Sequence, residues 1–368
     1  MALLIASSIF VLPCMVAAAQ GPFSDNAQRA LQWLACTQQQ PNGQIGSGGN
    51  PIARSSEVAL GLAAAGQPAT AMHVSAVSLA DYLKAAVSTD VGTNGELLLA
   101  RASQSDAGPT APVAAQLQAS QSSSGPTAGE YGSNIFSDAL AILGLRAANQ
   151  PVNQAAIDFL RGQQKADGGW SADNVDQFGE DSNTTALVIQ ALIAAGLGPT
   201  DRTLANGFDY LKQSFSDGGF GIAPGVGADA NSDELGIEAV LAAELQSDSA
   251  WSTRLQQALQ YLAAQQITTG SDKGAIENPF SKLFATTEAP ASFLLRPMTA
   301  VGLAQTTVAL LPCSAAAPTS RPLPTGKSIG RLAQTGGGPD ESALVSALLI
   351  ALGVLTMSYQ GTRRRGRS

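Results

Sequence analysis

The stretch FLRGQQKADGGW, residues 159–170, decides how this chain is read. An apolar–polar helical pattern ends in two glutamines, Gln163 and Gln164. A Gly pair, Gly168 and Gly169, then makes a turn, and a large aromatic ring, Trp170, follows. The pattern recurs. Aromatic–Leu pairs stand at Trp33-Leu34, Tyr82-Leu83, Phe159-Leu160, Tyr210-Leu211 and Tyr261-Leu262, and the last three are 51 residues apart. Gln-rich or Gly-rich turns follow at 38–46 and 214–221. Ala-rich helices come next, such as SSEVALGLAAAG (55–66) and NTTALVIQALIAAG (183–196). A period near fifty residues is the signature of stacked supersecondary units.

Six helical hairpins fit the pattern. Outer helices are expected near 25–39, 73–87, 111–121, 152–164, 201–214 and 252–266. Inner helices are expected near 55–65, 95–103, 135–148, 183–195, 233–244 and 288–304. The outer set carries charge on one side, whereas the inner set is apolar nearly all round, as buried helices are. Such units bury their faces only against neighbours, and six of them close into an all-α (α/α)6 toroid over residues 20–313. In a closed ring the first and last units are neighbours. That brings Cys36 and Cys313 together as a disulfide, provided the chain is exported to an oxidising compartment.

The 159–170 segment resembles the QW repeat of squalene cyclases, and the body resembles the terpenoid-cyclase/protein-prenyltransferase toroid superfamily. The resemblance implies a stitching role between outer helices for Gln164, Gly168, Gly169 and Trp170. It also implies tests for chemistry. The squalene-type enzymes use a DxDD acid segment, and the nearest stretch here, Asp229 to Glu234, has its acids in another order. Aromatic residues are only 5%, few for a pocket that steers carbocations on π faces. The prenyltransferases hold zinc with Asp, Cys and His, but the single histidine is His73, placed in the second outer helix. No Cys-Gly-Glu-Gln thioester motif occurs, and the β-rich second domain of corrinoid-binding toroids has no counterpart. No cofactor is expected.

Acids stand near the start of every inner helix: Glu57, Glu96, Asp138, Asp181, Asp233 with Glu234, and Glu288. Two readings stand. The acids line one mouth of the ring as a funnel for a cation, a basic peptide or a hydroxyl-rich polymer. Alternatively they cap helix N-termini and complement the dipole. The acidic loop 173–181 offers Asp173, Asp176, Glu180 and Asp181 as calcium ligands or as a solvated surface. The net charge of −8 excludes nucleic acid as a partner.

The ends set the expected location. Residues 2–16 are uncharged and apolar, with Ala17 to Ala19 following, which reads as an export signal (1–19) despite the absence of a basic start. After Cys313 an Ala/Pro/Ser/Thr-rich stalk spans 314–331. Leu332-Ala333-Gln334-Thr335-Gly336, the apolar run 343–359 and an Arg-rich tail then resemble a sortase cell-wall sorting signal of LAxTG form. The run alone also fits a transmembrane anchor. The resemblance implies a cut after Thr335 and attachment to peptidoglycan. Together these features describe a secreted, surface-anchored toroid without recognisable catalytic groups, acting in binding or adhesion on an unknown extracellular ligand. A cyclase- or prenyltransferase-like enzyme and a structural wall protein are the alternatives.

Overall fold

The computed structural model describes residues 21–173, 179–198 and 200–313. The expected signal segment, the stalk, the sorting pentapeptide Leu332 to Gly336 and the run 343–359 lie outside these residues. Among the described residues no helix is long and apolar enough to cross a membrane.

Twelve α-helices form six hairpins among the described residues. The outer helices are α1 (Ser24–Trp33), continued by a π turn over Leu34–Gln38, α3 (Leu79–Ala85), α5 (Ala111–Ser120), α7 (Gln154–Gly162), α9 (Arg202–Gln213) and α11 (Ser252–Ala264). The inner helices are α2 (Pro51–Ala64), α4 (Val91–Ser103), α6 (Ile135–Ala147), α8 (Ser182–Ala194), α10 (Ala230–Ala242) and α12 (Lys282–Phe293). Each inner helix packs on the next, and α12 packs on α2, so the inner ring closes. Two short antiparallel pairs, β1 (Trp170–Ser171) with β2 (Glu180–Asp181) and β3 (Phe215–Ser216) with β4 (Gly219–Phe220), decorate the turns.

The repeat has a physical job. Gln164 Nε2 donates to Gly168 O of its own turn and to Thr203 O of the next outer helix. Gln39 does the same toward Gly43 O and Met72 O. At the seam, Gln266 Nε2 donates to Asn26 O, while Asn26 and Arg29 donate to Gln266 Oε1. One glutamine thus stitches unit six to unit one. The turn glycine lets the next outer helix sit close. Gly168 has φ +96° and a Cβ there would stand 2.2 Å from Asn206 O. Gly274 has φ +103° and would meet Arg29 O at 2.3 Å. Trp170 is fully buried, and its indole N–H donates to Leu160 O at 2.7 Å, as a buried indole requires.

A second repeated bond ties five of the six turns to their inner helices. The backbone N–H of Ile45, Tyr131, Trp170, Phe220 and Ile276 donates to the side chains of Ser55, Asp138, Thr185, Asp233 and Thr286 respectively.

Cys36 and Cys313 form the expected disulfide, with Cα atoms 5.4 Å apart. Six expected boundaries differ by three residues or more. The second outer helix starts at Leu79 and not near 73, because Ser78 and Asp81 form a capping box there. His73 therefore lies in the preceding loop, bridged to Ser78. Inner helices α2, α4, α10 and α12 begin three to six residues earlier than read, behind the caps Asn50, Asp90, Asp229 and Ser281. The last ends at Phe293 instead of reaching 304, with Leu295 in the left-handed region at φ +55°.

Candidate functional site

The early helix starts decide where the acids go. Glu57, Glu96, Glu234 and Glu288 sit in the second turn of α2, α4, α10 and α12, past the orphan N–H groups that a cap serves. They point into the ring and do not cap it. A fifth glutamate, Glu238, follows Glu234 by one turn on α10 and joins them. Nothing in the funnel reading named Glu238. Its signal was the pair of like charges at i, i+4 on an otherwise apolar helix, an arrangement that costs stability unless something uses it.

The aspartates separate from this group. Asp181 is the N-cap of α8 and accepts from Thr184 N and Thr184 Oγ1. Asp138 and Asp233 make the turn-to-helix bonds described above, at the places where other units use Ser or Thr. So three of the expected mouth residues hold the turns, and four glutamates converge inside the ring with Glu238. In the acidic loop, Asp173 bridges Asn134, Glu180 O accepts from Tyr210 Oη, and Asp181 caps α8. Asp176 lies outside the described residues. Among the described residues no group of three or more His, Cys, Asp or Glu is arranged to hold a metal ion.

Glu57, Glu234, Glu238 and Glu288 are buried, and Glu96 has its Oε2 sealed from solvent. Burial pushes all five carboxyls upward, because the charged form loses its hydration. Glu238 and Glu288 rise to about 8. Glu57, Glu96 and Glu234 rise well above the usual carboxylate range. Burial leads in each, with the Glu288 charge adding to Glu57 and Glu234 and the Glu57 charge to Glu96. Glu234 and Glu288 face each other closely enough to share a proton. Burial therefore favours the protonated form of all five carboxyls relative to an exposed glutamate.

Their hydrogen-bonding capacity is only partly met. Thr287 Oγ1 donates to Glu57 Oε2, and Asn231 Nδ2 lies 3.4 Å from Glu288 Oε2. Glu96 Oε2 and Glu238 Oε2 have no hydrogen-bond partner, and Glu234 has none besides the proton it shares with Glu288. Ser103 Oγ is also unpartnered. A buried polar atom left in this state costs about 1–3 kcal/mol.

A small cavity of about 20 Å³ runs from this cluster toward the C-terminal ends of the inner helices. Glu57, Glu238, Glu288 and Ser103 line it, with Leu60, Ala63 and Ala291 as apolar wall. Its far side is covered by a strap, residues 294–302, whose Arg296, Pro297, Met298 and Ala300 complete the lining. Met298 N donates to Gln190 Oε1 across the ring. Beyond the strap, Ala304 N and Val308 N donate to Ala63 O and Ala65 O, and the described residues reach Cys313 of the disulfide. The cavity volume is that of about one water. No aromatic side chain lines it.

The squalene-hopene cyclase C-terminal domain family model matches residues 60–223. Among solved structures, the type II terpene cyclase MstE from Scytonema without ligand is 13% identical, with a TM-score of 0.50 over 74% of this chain and 97% of that one. A variant of that cyclase in complex with merosterolic acid A is 15% identical, with a TM-score of 0.51 over 74% and 96%. A complex with geranylgeranyl dihydroxybenzoate is 14% identical, with a TM-score of 0.50 over 75% and 97%. At these identities the likeness is one of fold. No curated protein matches the sequence.

Proposed function

We propose that this chain, whose toroid resembles that of the terpenoid cyclases, is a binding module whose ring interior takes a small hydroxyl- or amine-bearing ligand. One observation carries the reading. Glu57, Glu238 and Glu288 from three inner helices line a cavity in which Glu238 Oε2 and Ser103 Oγ have no hydrogen-bond partner, with Glu96 and Glu234 buried beside them. A scaffold selected for stability alone would fill such a place with Ala and Leu, because unmet buried polar atoms destabilise. A ligand that meets them offsets that cost. The test is thermal unfolding of the full-length protein at pH 7 with panels of primary amines and polyols. A ligand at a hundredfold excess over Kd adds about 2.7 kcal/mol to stability, while no shift with either class refutes the reading.

The module is displayed outside the cell, tethered by its C-terminal end to peptidoglycan or membrane, with a sortase as the processing partner. The Cys36–Cys313 disulfide supports an oxidising location, and the order of pentapeptide, apolar run and Arg-rich tail supports the tether. Mass spectrometry of protein released from the wall tests this. A C-terminus at Thr335 is expected, and a retained 343–359 run refutes the sortase step.

A second reading, an acid-initiated cyclase-like enzyme, draws on the buried carboxyls. A buried acid kept protonated at pH 7 is what proton donation to an alkene requires. Against it stand a one-water cavity and walls without aromatic rings. Formation of a cyclic product from a polyprenyl substrate, lost in Glu234→Gln, would establish it.

A further inference from the structure

We propose that the cavity between Glu57, Glu238 and Glu288 is the seat of a primary ammonium group, whose aliphatic stem leaves beneath the strap at Pro297–Met298. The inference rests on the binding reading above and narrows it to one ligand chemistry. Three carboxyls reach one small cavity from three different helices, α2, α10 and α12. An ammonium head has three N–H donors and no acceptor, so it matches three carboxyl oxygens one to one. Its bulk is close to that of a water, which suits a cavity of about 20 Å³.

Independent of the acids, Ser103 is 3% exposed, lines the same cavity and has a hydroxyl without a partner. It supplies a fourth oxygen. The stem would run against Leu60, Ala63, Ala291 and Met298, which are apolar. Two cationic side chains bear on the place, Arg296 as part of its lining and Arg54 through its charge on Glu57, and both also donate to backbone carbonyls. Arg54 beside Glu57 is engaged by the 45–48 turn, donating to Gly48 O and in part to Ile45 O. Arg296 in the strap donates to Val301 O and Gly302 O.

The groups facing the seat set its pH dependence. They are Arg54 on the Glu57 side, Glu96 from α4, Glu234 from α10 and Arg296 from the strap, while α8 contributes the neutral Gln190. In the empty ring the lining carboxyls hold protons. On binding, one carboxyl gives its proton to solvent and becomes the anion that faces the ammonium. Binding therefore strengthens as pH rises toward 8, by about tenfold per pH unit for one proton released.

Isothermal titration of the full-length protein with 1,4-diaminobutane and with Nα-acetyl-lysine amide, at pH 6, 7 and 8 and in two buffers, tests this. The diamine represents a free amine and the lysine derivative a peptide side chain, so the stronger of the two identifies the source. The expected result is saturable binding of at least one, release of about one proton, and a Kd that falls about tenfold per pH unit. Glu238→Gln and Glu288→Gln should weaken binding at least tenfold and Ser103→Ala less, while the exposed Glu277→Gln leaves it unchanged. Circular dichroism and an unfolding curve of each variant separate lost binding from lost fold. Absence of binding by both amines at every pH overturns the proposal, as does binding indifferent to pH and to Glu238→Gln. If polyols alone stabilise the protein, the binding reading stands and the ammonium assignment falls.

Discussion

Replacing Glu238 by Gln should make the protein more stable, and the gain should grow with pH. The carboxyl is buried and its folded-state pKa is about 8, against a reference of 4.5 for an exposed glutamate. A raised folded pKa means that the native state binds more protons than the unfolded one between these values. The stability it carries is full below pH 4.5 and is lost as pH rises through 8. At pH 7 the native state must keep a proton that the unfolded chain has released. With 1.36 kcal/mol for each pKa unit traversed, the 2.5 units from 4.5 to 7 cost about 3 kcal/mol. Glutamine has the same shape and stays neutral, so Glu238→Gln removes this cost. Urea unfolding followed by circular dichroism should show almost no difference from wild type at pH 4, and a gain of about 3 kcal/mol at pH 7 that grows further at pH 8. Destabilisation at pH 7, or a gain that does not depend on pH, would refute the reasoning.

Further outcomes follow from the ring's construction. Cys36→Ser removes a cross-link spanning 277 residues, for which the chain-entropy relation gives a loss of about 5–6 kcal/mol; equal unfolding midpoints with and without reductant would contradict it. Gly274→Ala forces a Cβ to 2.3 Å from Arg29 O at φ +103°, so it should cost about 3 kcal/mol or more. Gly162→Ala meets nothing within 4 Å and should be neutral or slightly stabilising; similar effects of the two would contradict the packing account. Trp170→Phe removes the indole bond to Leu160 O, which keeps its bond from Gln163 N, and should lower stability by about 1 kcal/mol or more, measured by thermal unfolding.

The ring was legible because its repeat is chemical as well as periodic. Gln164 and Trp170 carry side-chain hydrogen bonds to fixed backbone atoms, so their spacing survives where other residues drift. The Cys36–Cys313 pairing followed from ring closure alone. The site was legible only in part, and the reason is local. The caps Asn50, Asp90, Asp229 and Ser281 stand several residues before the apolar stretch that marks each inner helix. Glutamates that look N-terminal in sequence are therefore one to two turns inside the ring. Asp138 and Asp233 show the reverse. They sit among these acids in sequence, yet their carboxylates do the work of Ser55 and Thr185 in other units. The strap 294–302 was hidden because Leu294 and Leu295 continue the apolar pattern past the point where α12 stops.

Carbon-13 NMR of the full-length protein with carboxyl-labelled glutamate measures the interior carboxyls themselves, before and after ligand. The account predicts that Glu57, Glu96, Glu234, Glu238 and Glu288 stay protonated at neutral pH in the free protein. Glu238 and Glu288 should titrate near 8, and at least one signal should move to the ionised position when an amine fills the cavity. Five ordinary titrations near 4.5, unmoved by any ligand, would contradict it.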